Sequence, residues 1–202
     1  MNFNNAVQKS FSTIREMLHD RGVDTTSIKN VSCDDVLAMA SSRNVFHVDI
    51  PSCAHRIVYN MNAKFKLADI RKLLDDDEGD GDGGKSAIQV FIVVTKDKPT
   101  HPGRKGINEL GKDVQMFDMR ELQYNVSRHT LVPKHEPIRE EEVIDDILKR
   151  YRLKTRFHMP LIMSTDPMAR YLALKHGQVV KITRASPSSG TYVMYRCCMR
   201  AL

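Results

Sequence analysis

Apolar residues near the start of the chain recur at helical spacing. Val7, Phe11, Ile14 and Leu18 fall on one stripe, Lys9, Arg15, Glu16 and Arg21 lie off it, and Gly22 closes the run. The pattern predicts an amphipathic helix over residues 5–22. A second, shorter helix is expected over 33–39, with Ser32 as its cap. The period then changes to alternation, giving strands over 45–50, which stops at Pro51, and over 56–61. Residues 67–74 return to helical spacing, and AIQVFIVVT (87–95) reads as a buried strand. A helix over 104–112 and a strand over 114–117 complete an α/β alternation, so a small sheet with helices on its faces is expected.

The second half of the pattern starts after two prolines, Pro133 and Pro137, which favour an extended connector and put a domain boundary near residue 130. A helix over 140–151 has Val143, Ile144, Ile147, Leu148 and Tyr151 as its expected buried stripe. Its first turn is acidic and its end basic, which suits the helix dipole. Asp166 caps a further helix expected over 167–175, Pro167 fits the first helical position and Gly177 the left-handed stop. On that helix Tyr171 shares the side of Met168 and Leu172 and reads as core, while Arg170 points away. Val180 and Ile182 then alternate with Lys181 and Thr183 in a strand, Arg184 to Gly190 reads as a loop, and Thr191 to Met199 returns as a second strand. The chain is therefore expected to be α+β in two domains, residues 1–130 and 131–202.

Charge distinguishes the two parts. Residues 131–202 hold 13 Lys and Arg against 7 Asp and Glu, which leaves 31 − 13 = 18 against 25 − 7 = 18 in residues 1–130. The whole net charge of +6 thus lies in the second part, a basic surface that suits nucleic-acid phosphates or an acidic protein partner. The four cysteines, Cys33, Cys53, Cys197 and Cys198, have no disulfide-framework spacing. Reduced thiols are expected, and a zinc site from Cys53, His55 and His47 would lack a fourth ligand. No apolar run reaches the roughly 20 residues that cross a bilayer, and MNFNNAVQKS lacks a secretory h-region, so residence inside the cell is expected.

Several motifs invite catalysis and fail on mechanism. The acidic, glycine-rich insertion over 75–86 contains GDGDGGKS, which satisfies G-x-x-x-x-G-K-S. A phosphate loop needs a strand before it and a helix after it; here the order is reversed, and Asp80 and Asp82 would face a polyanion. A calcium-loop register from Asp76 puts Ala87 where the bidentate Glu belongs. No lysine has Asp or Glu two positions before it, as a metal-dependent nuclease strand requires, and only one acid, Asp166, follows Arg152. No catalytic residue, metal, cofactor or small-molecule substrate is expected.

The order Asp-Pro-Met-Ala-Arg-Tyr (166–171), Lys-His-Gly-Gln-Val-Val-Lys-Ile (175–182), then Arg184, Ser186, Gly190, Tyr192 and Tyr195-Arg196 closely resembles the assembly domain of the fifth subunit shared by the three eukaryotic nuclear RNA polymerases, a family with an archaeal counterpart. Met-Leu-His-Asp-Arg-Gly (17–22) and Leu-Val-Pro-Lys-His (131–135) are similar to its amino-terminal jaw and to the junction between the two domains. The resemblance implies a noncatalytic polymerase subunit. Residues 131–202 would dock on the largest subunit, and residues 1–130 would form part of the jaw around downstream double-stranded DNA. Expected interface residues are Arg170, Lys175, Lys181, Arg184, Tyr192 and Arg196; Arg104 and Lys105, in a basic loop, would face DNA through its backbone. The competing expectation is an independent nucleic-acid-binding regulator that uses the basic second domain. This chain departs from the family at Ala173 (usually Gly), His176 (usually Arg), Leu161 (usually basic), Ala185 and Pro187, and at Arg139, where a hydroxyl cap is usual. Such drift fits a copy adapted to its own partners, for example one encoded by a large nucleocytoplasmic DNA virus, found in host cytoplasm and virion; a cellular copy would be nuclear.

Overall fold

The structure is a computed structural model that describes residues 3–29, 31–50, 53–62, 88–96, 112–186 and 190–200, together with residues 66, 68, 70, 71, 103, 106, 107 and 188. It divides into two compact units, Met1–Tyr124 and Asn125–Leu202. The prolines suggest a junction near residue 130. Asn125 already caps a short turn, Val126–Arg128, and Ser127 in that turn lies 3.4 Å from the Tyr171 hydroxyl, tying these residues to the second unit. Two four-stranded sheets, one per unit, and the helices packed on them make the protein α+β.

In the first unit α1 (Phe3–Asp20) forms as its stripe predicts, and Val7, Phe11, Ile14 and Leu18 are all fully buried. Each such side chain contributes about 1.5–3 kcal/mol of burial free energy. Gly22, at φ 74°, ends the helix: its N–H meets the His19 carbonyl at 2.9 Å and the Val23 N–H meets the Leu18 carbonyl at 3.1 Å. After the short α2 (Thr26–Lys29), α3 (Cys33–Ser42) runs three residues past the expected end. Its start is a capping box in which Ser32 Oγ accepts from the Asp34 N–H and Asp35 accepts from the Ser32 N–H.

The sheet runs β1 (Val45–Ile50), β2 (His55–Asn60), β3 (Val90–Thr95), β4 (Asp113–Asp118) in that spatial order. The first pair is antiparallel and the others parallel. β3 sits inside the sheet with five of its six residues buried, as a continuous apolar run requires. On one face Phe46 stacks on Tyr59 at 5.0 Å between ring centres. Ser10, whose own hydroxyl donates to the Val7 carbonyl, accepts from the Tyr59 hydroxyl at 3.3 Å. Burial pushes that phenol far above its usual range. The other face carries Val58, Phe91 and Val93 against Ile70 and Ile107. The helices expected over 67–74 and 104–112 fall largely outside the described residues, and the insertion over 75–86 wholly so.

His55, at the start of β2, gives this unit a pH dependence. Burial lowers its pKa below 6.5, against the raising effect of a 2.6 Å hydrogen bond in which Nδ1 donates to the Cys53 carbonyl; Arg21 lowers it further and Asp113 raises it. The folded state therefore takes up the proton less readily than the unfolded chain. Above 6.5 neither state is protonated and the group contributes nothing; as pH falls through that value the unfolded state gains protons first, and stability declines. Urea midpoints measured between pH 8 and 5 are expected to fall on the acid side, and His55→Gln to flatten part of that fall.

In the second unit the sheet order is β5 (Lys134–Ile138), β7 (Val179–Ser186), β8 (Gly190–Met199), β6 (Leu161–Met163). β5 is an edge strand, so Pro137 costs no ladder bond on its open side. Adjacent Cys197 and Cys198 point to opposite faces, as the strand period demands. Cys197 packs with Ile144, Ile147 and Val179 under α4 (Glu141–Arg150), and Cys198 with Ile162, Ala169, Leu174 and Val180 under α5 (Pro167–Tyr171). Both are free thiols whose pKa burial pushes up, which leaves them poor nucleophiles.

Three expectations are corrected here. Only Ile144 and Ile147 of α4 are buried; Val143 and Tyr151 are 45% and 52% exposed, because a single ten-residue helix against one sheet face covers a narrow stripe. Arg184 lies in β7 opposite Tyr192, not in a loop. The helix expected to run to Lys175 stops at Tyr171. Ala173 takes the left-handed conformation at φ 52°, its N–H meeting the Arg170 carbonyl at 3.1 Å while the Leu174 N–H meets the Ala169 carbonyl at 2.9 Å. This is the paired-bond helix stop that usually uses glycine. Gly177, at φ 82°, serves the next turn instead. A methyl group at a left-handed position costs about 1–2 kcal/mol, partly offset by the freedom that glycine adds to the unfolded chain. Ala173→Gly is therefore expected to stabilise the unit by about 0.5–1 kcal/mol, read as a higher melting temperature.

Candidate docking surface

The alternation of β7 and β8 sorts the expected interface residues by face. Val180, Ile182 and Arg184 pair in register with Arg196, Met194 and Tyr192, so all six share the α5 side. Lys181 pairs with Tyr195 and lies on the α4 side. There its amine is 3.9 Å from Glu136, its neighbour in register on β5. Lys134 lies 2.7 Å from the same carboxylate, and its hydrogen bond, with both lysine charges, holds Glu136 below the usual carboxylate range. Arg170 is half-buried and Lys175 exposed, in and just after α5. The structure thus brings three of the six together, Arg184, Tyr192 and Arg196, and leaves Lys181 on the opposite face. Arg104 and Lys105 lie outside the described residues.

Those three residues rim an open groove of about 490 Å³. Its floor is apolar: Met168 and Ile182 are buried and Met194 half-buried. One wall is the segment 131–135, with Leu131 85% exposed and His135 fixed by Nδ1 donation to the Pro133 carbonyl at 2.7 Å. The start of α5 supplies the other, and there the Asp166 carboxylate is engaged by the Met168 and Ala169 N–H groups at 2.8 and 3.3 Å. Arg196 donates to the Leu161 carbonyl at 2.9 Å, which uses one of five guanidinium donors. The Arg184 guanidinium has no ion pair or hydrogen bond among the described residues, and Tyr192 is 51% exposed. Sequence reasoning missed Leu131, Val132, His135 and Met194. The available signal was Met194 standing midway between Tyr192 and Arg196 on the two-residue period of β8.

On the α4 side Arg156 forms a two-pronged pair with Glu141, its nitrogens 2.6 and 3.3 Å from the carboxylate oxygens, and also donates to the Gly177 carbonyl. The Glu141 hydrogen bond raises the guanidinium pKa further. This pair ties the turn Arg156–His158 to the first turn of α4, where the cap residue Glu140 makes no side-chain bond of its own. Among the described residues no group of three His, Cys, Asp or Glu side chains is placed to hold a metal ion. No described helix is long and apolar enough to cross a membrane.

Fold and surface together define a two-unit α+β protein whose second unit presents a groove with an apolar floor and an arginine rim. Residues 124–198 match the model of the family described as RNA polymerase Rpb5, C-terminal domain, so the second unit is similar to that domain. The similarity extends to the first unit. The chain is 28% identical over 193 residues to the Dictyostelium discoideum protein named DNA-directed RNA polymerases I, II, and III subunit rpabc1, covering 93% of this chain and 94% of the relative. It is 28% identical over 205 residues to the Caenorhabditis elegans subunit RPABC1 of the same three polymerases, covering 91% of each. Against the Arabidopsis thaliana protein named DNA-directed RNA polymerases IV and V subunit 5B it is 28% identical over 201 residues, covering 92% of this chain and 86% of that one.

Proposed function

We propose that this chain is a noncatalytic subunit of a multisubunit DNA-directed RNA polymerase, acting in transcription. The observation that carries the reading is that relatives named as polymerase subunits match both units rather than the second alone. In this reading residues 125–202 dock on the largest subunit and contact other subunits, while the first unit lies along downstream DNA as part of the jaw, with Arg104 and Lys105 toward the phosphates. The excess basic charge of the second unit then meets protein carboxylates rather than nucleic acid. A cellular copy works in the nucleus, a viral one in host cytoplasm and virion.

Affinity purification of the tagged full chain from its source cells tests this, with the largest polymerase subunit expected in the eluate. Arg170→Glu combined with Lys181→Gln is expected to reduce that recovery about tenfold while leaving the melting temperature within about 2 °C of the parent. Glutamine is chosen at 181 because glutamate would stand directly opposite Glu136, where like charges destabilise a strand pair. Full recovery from the double variant would remove Arg170 and Lys181 from the interface. Salt-dependent binding of the free chain to DNA, with no polymerase in the eluate, would favour an independent regulator instead.

A further inference from the structure

We infer that the groove between residues 131–135 and the β7–β8 face takes an extended polypeptide segment of a partner protein, carrying a carboxylate two residues from an aliphatic side chain. The inference rests on the reading of the second unit as a docking module and specifies the chemistry of what docks.

The spacing comes from the strands. Ile182 and Arg184, and likewise Met194 and Tyr192, are successive residues on one face, so the apolar floor and its cationic rim are separated by two residues, about 7 Å. An extended segment laid along β7 and β8 presents alternate side chains at the same interval. One aliphatic group can therefore cover Ile182 and Met194 while the acid two residues away reaches Arg184. The exposed ring of Tyr192, opposite Arg184 in register, shields that pair from water. A planar guanidinium with no partner among the described residues is suited to a two-pronged bond with a carboxylate. A second acid on the other side of the aliphatic group would approach Arg196, four residues along β8, whose donors are not exhausted by the Leu161 carbonyl.

The same surface is poorly built for nucleic acid. Single strands need a row of aromatic platforms along a cationic track, and this groove offers only the Tyr192 ring and the His135 imidazole beside a floor of methionine and isoleucine. Asp166, at the α5 end, would also face phosphates.

The test places the photoreactive residue p-benzoylphenylalanine at position 192 of the full chain. The complexes it forms in its source cells are purified and irradiated, and the attached species is identified by mass spectrometry. The expected product is a crosslink to a protein segment with Asp or Glu two residues from Leu, Ile, Val or Met. Its yield should fall about tenfold when Arg184→Glu is added, and should not change with Lys149→Gln on α4. Arg184→Gln serves as a second variant, with its melting curve compared to the parent so that misfolding is not read as lost contact. A crosslink to nucleic acid, to a segment without a carboxylate, or to no partner, from a chain that still recovers the largest polymerase subunit, overturns the inference and leaves the docking reading standing. A crosslink to an acidic–aliphatic segment of some other protein, with no polymerase subunit recovered, supports the inference and overturns the polymerase reading.

Discussion

Asp49→Ala is expected to destabilise the first unit by about 2–3 kcal/mol. Arg56, on β2, is only 4% exposed, and its guanidinium meets Asp49 on β1 through two nitrogens at 2.6 and 3.0 Å. The two residues are partners in register, so the pair is set by the antiparallel β1–β2 ladder and needs no loop to hold it. Removing the carboxylate leaves a guanidinium charge within the sheet, and a fully buried orphan of this kind costs about 3–5 kcal/mol. One feature lowers the figure: the Asp49 side chain is 37% exposed, so water reaches the vacated site. Urea unfolding should show a lower midpoint at unchanged slope, and Asp49→Asn, which keeps one oxygen acceptor, should lose less. Equal losses for Ala and Asn would mean that net charge, not the two-pronged geometry, stabilises the pair.

Local rules made much of this fold legible. α1 follows from a four-residue stripe and a glycine stop, α3 from Ser32 and its reciprocal bonds with the helix start, and β3 from a continuous apolar run, because each signal lies within a few residues of its effect. The end of α5 departs from expectation for an instructive reason. Gly177 is the residue that favours a left-handed turn on propensity, but the stop occurs at Ala173, where Leu174 must turn inward to join Ile162, Val180 and Cys198. Tertiary packing outweighs the propensity of a single alanine. The family resemblance marks the same position by its departure from glycine.

The groove was less legible, because it is a property of distant segments. Arg184, Tyr192 and Arg196 stand out in the family pattern, yet nothing local says that they share a face, since a loop at Arg184 leaves strand parity with nothing to act on. Leu131 and His135 reach the same groove from about 50 residues earlier, brought there by the β5–β7 pairing. Lys181 shows the converse. Its charge suggests company with Arg184, but odd and even positions of one strand face opposite ways, and Glu136 draws it to the other side.

The second large effect is expected at Leu174→Ala, which should destabilise the second unit by about 2–3 kcal/mol. Leu174 is 7% exposed and packs with Ile162, Ala169, Val180 and Cys198. Its N–H closes the end of α5 on the Ala169 carbonyl, and its own carbonyl lies 3.6 Å from the Cys198 sulfur. Backbone bonding survives the substitution; what is lost is side-chain packing between α5 and the sheet, together with the cavity left behind. Hydrogen exchange should report this as faster exchange at the Leu174 and Cys198 amides, whose partners are the Ala169 and Gln178 carbonyls, with no change in β1–β3 of the first unit. On the docking proposed above, the variant should weaken recovery of the polymerase as well, because α5 supplies Met168 to the groove floor. Adding Ala173→Gly to Leu174→Ala separates the two consequences. Relief of the left-handed alanine should recover part of the lost stability, while the packing defect beneath α5 remains. If polymerase recovery returns in proportion to stability, the groove tolerates the defect and only needs the unit folded. Recovery that stays low in the restabilised double variant would show that docking depends on how Leu174 seats α5 against Val180 and Cys198.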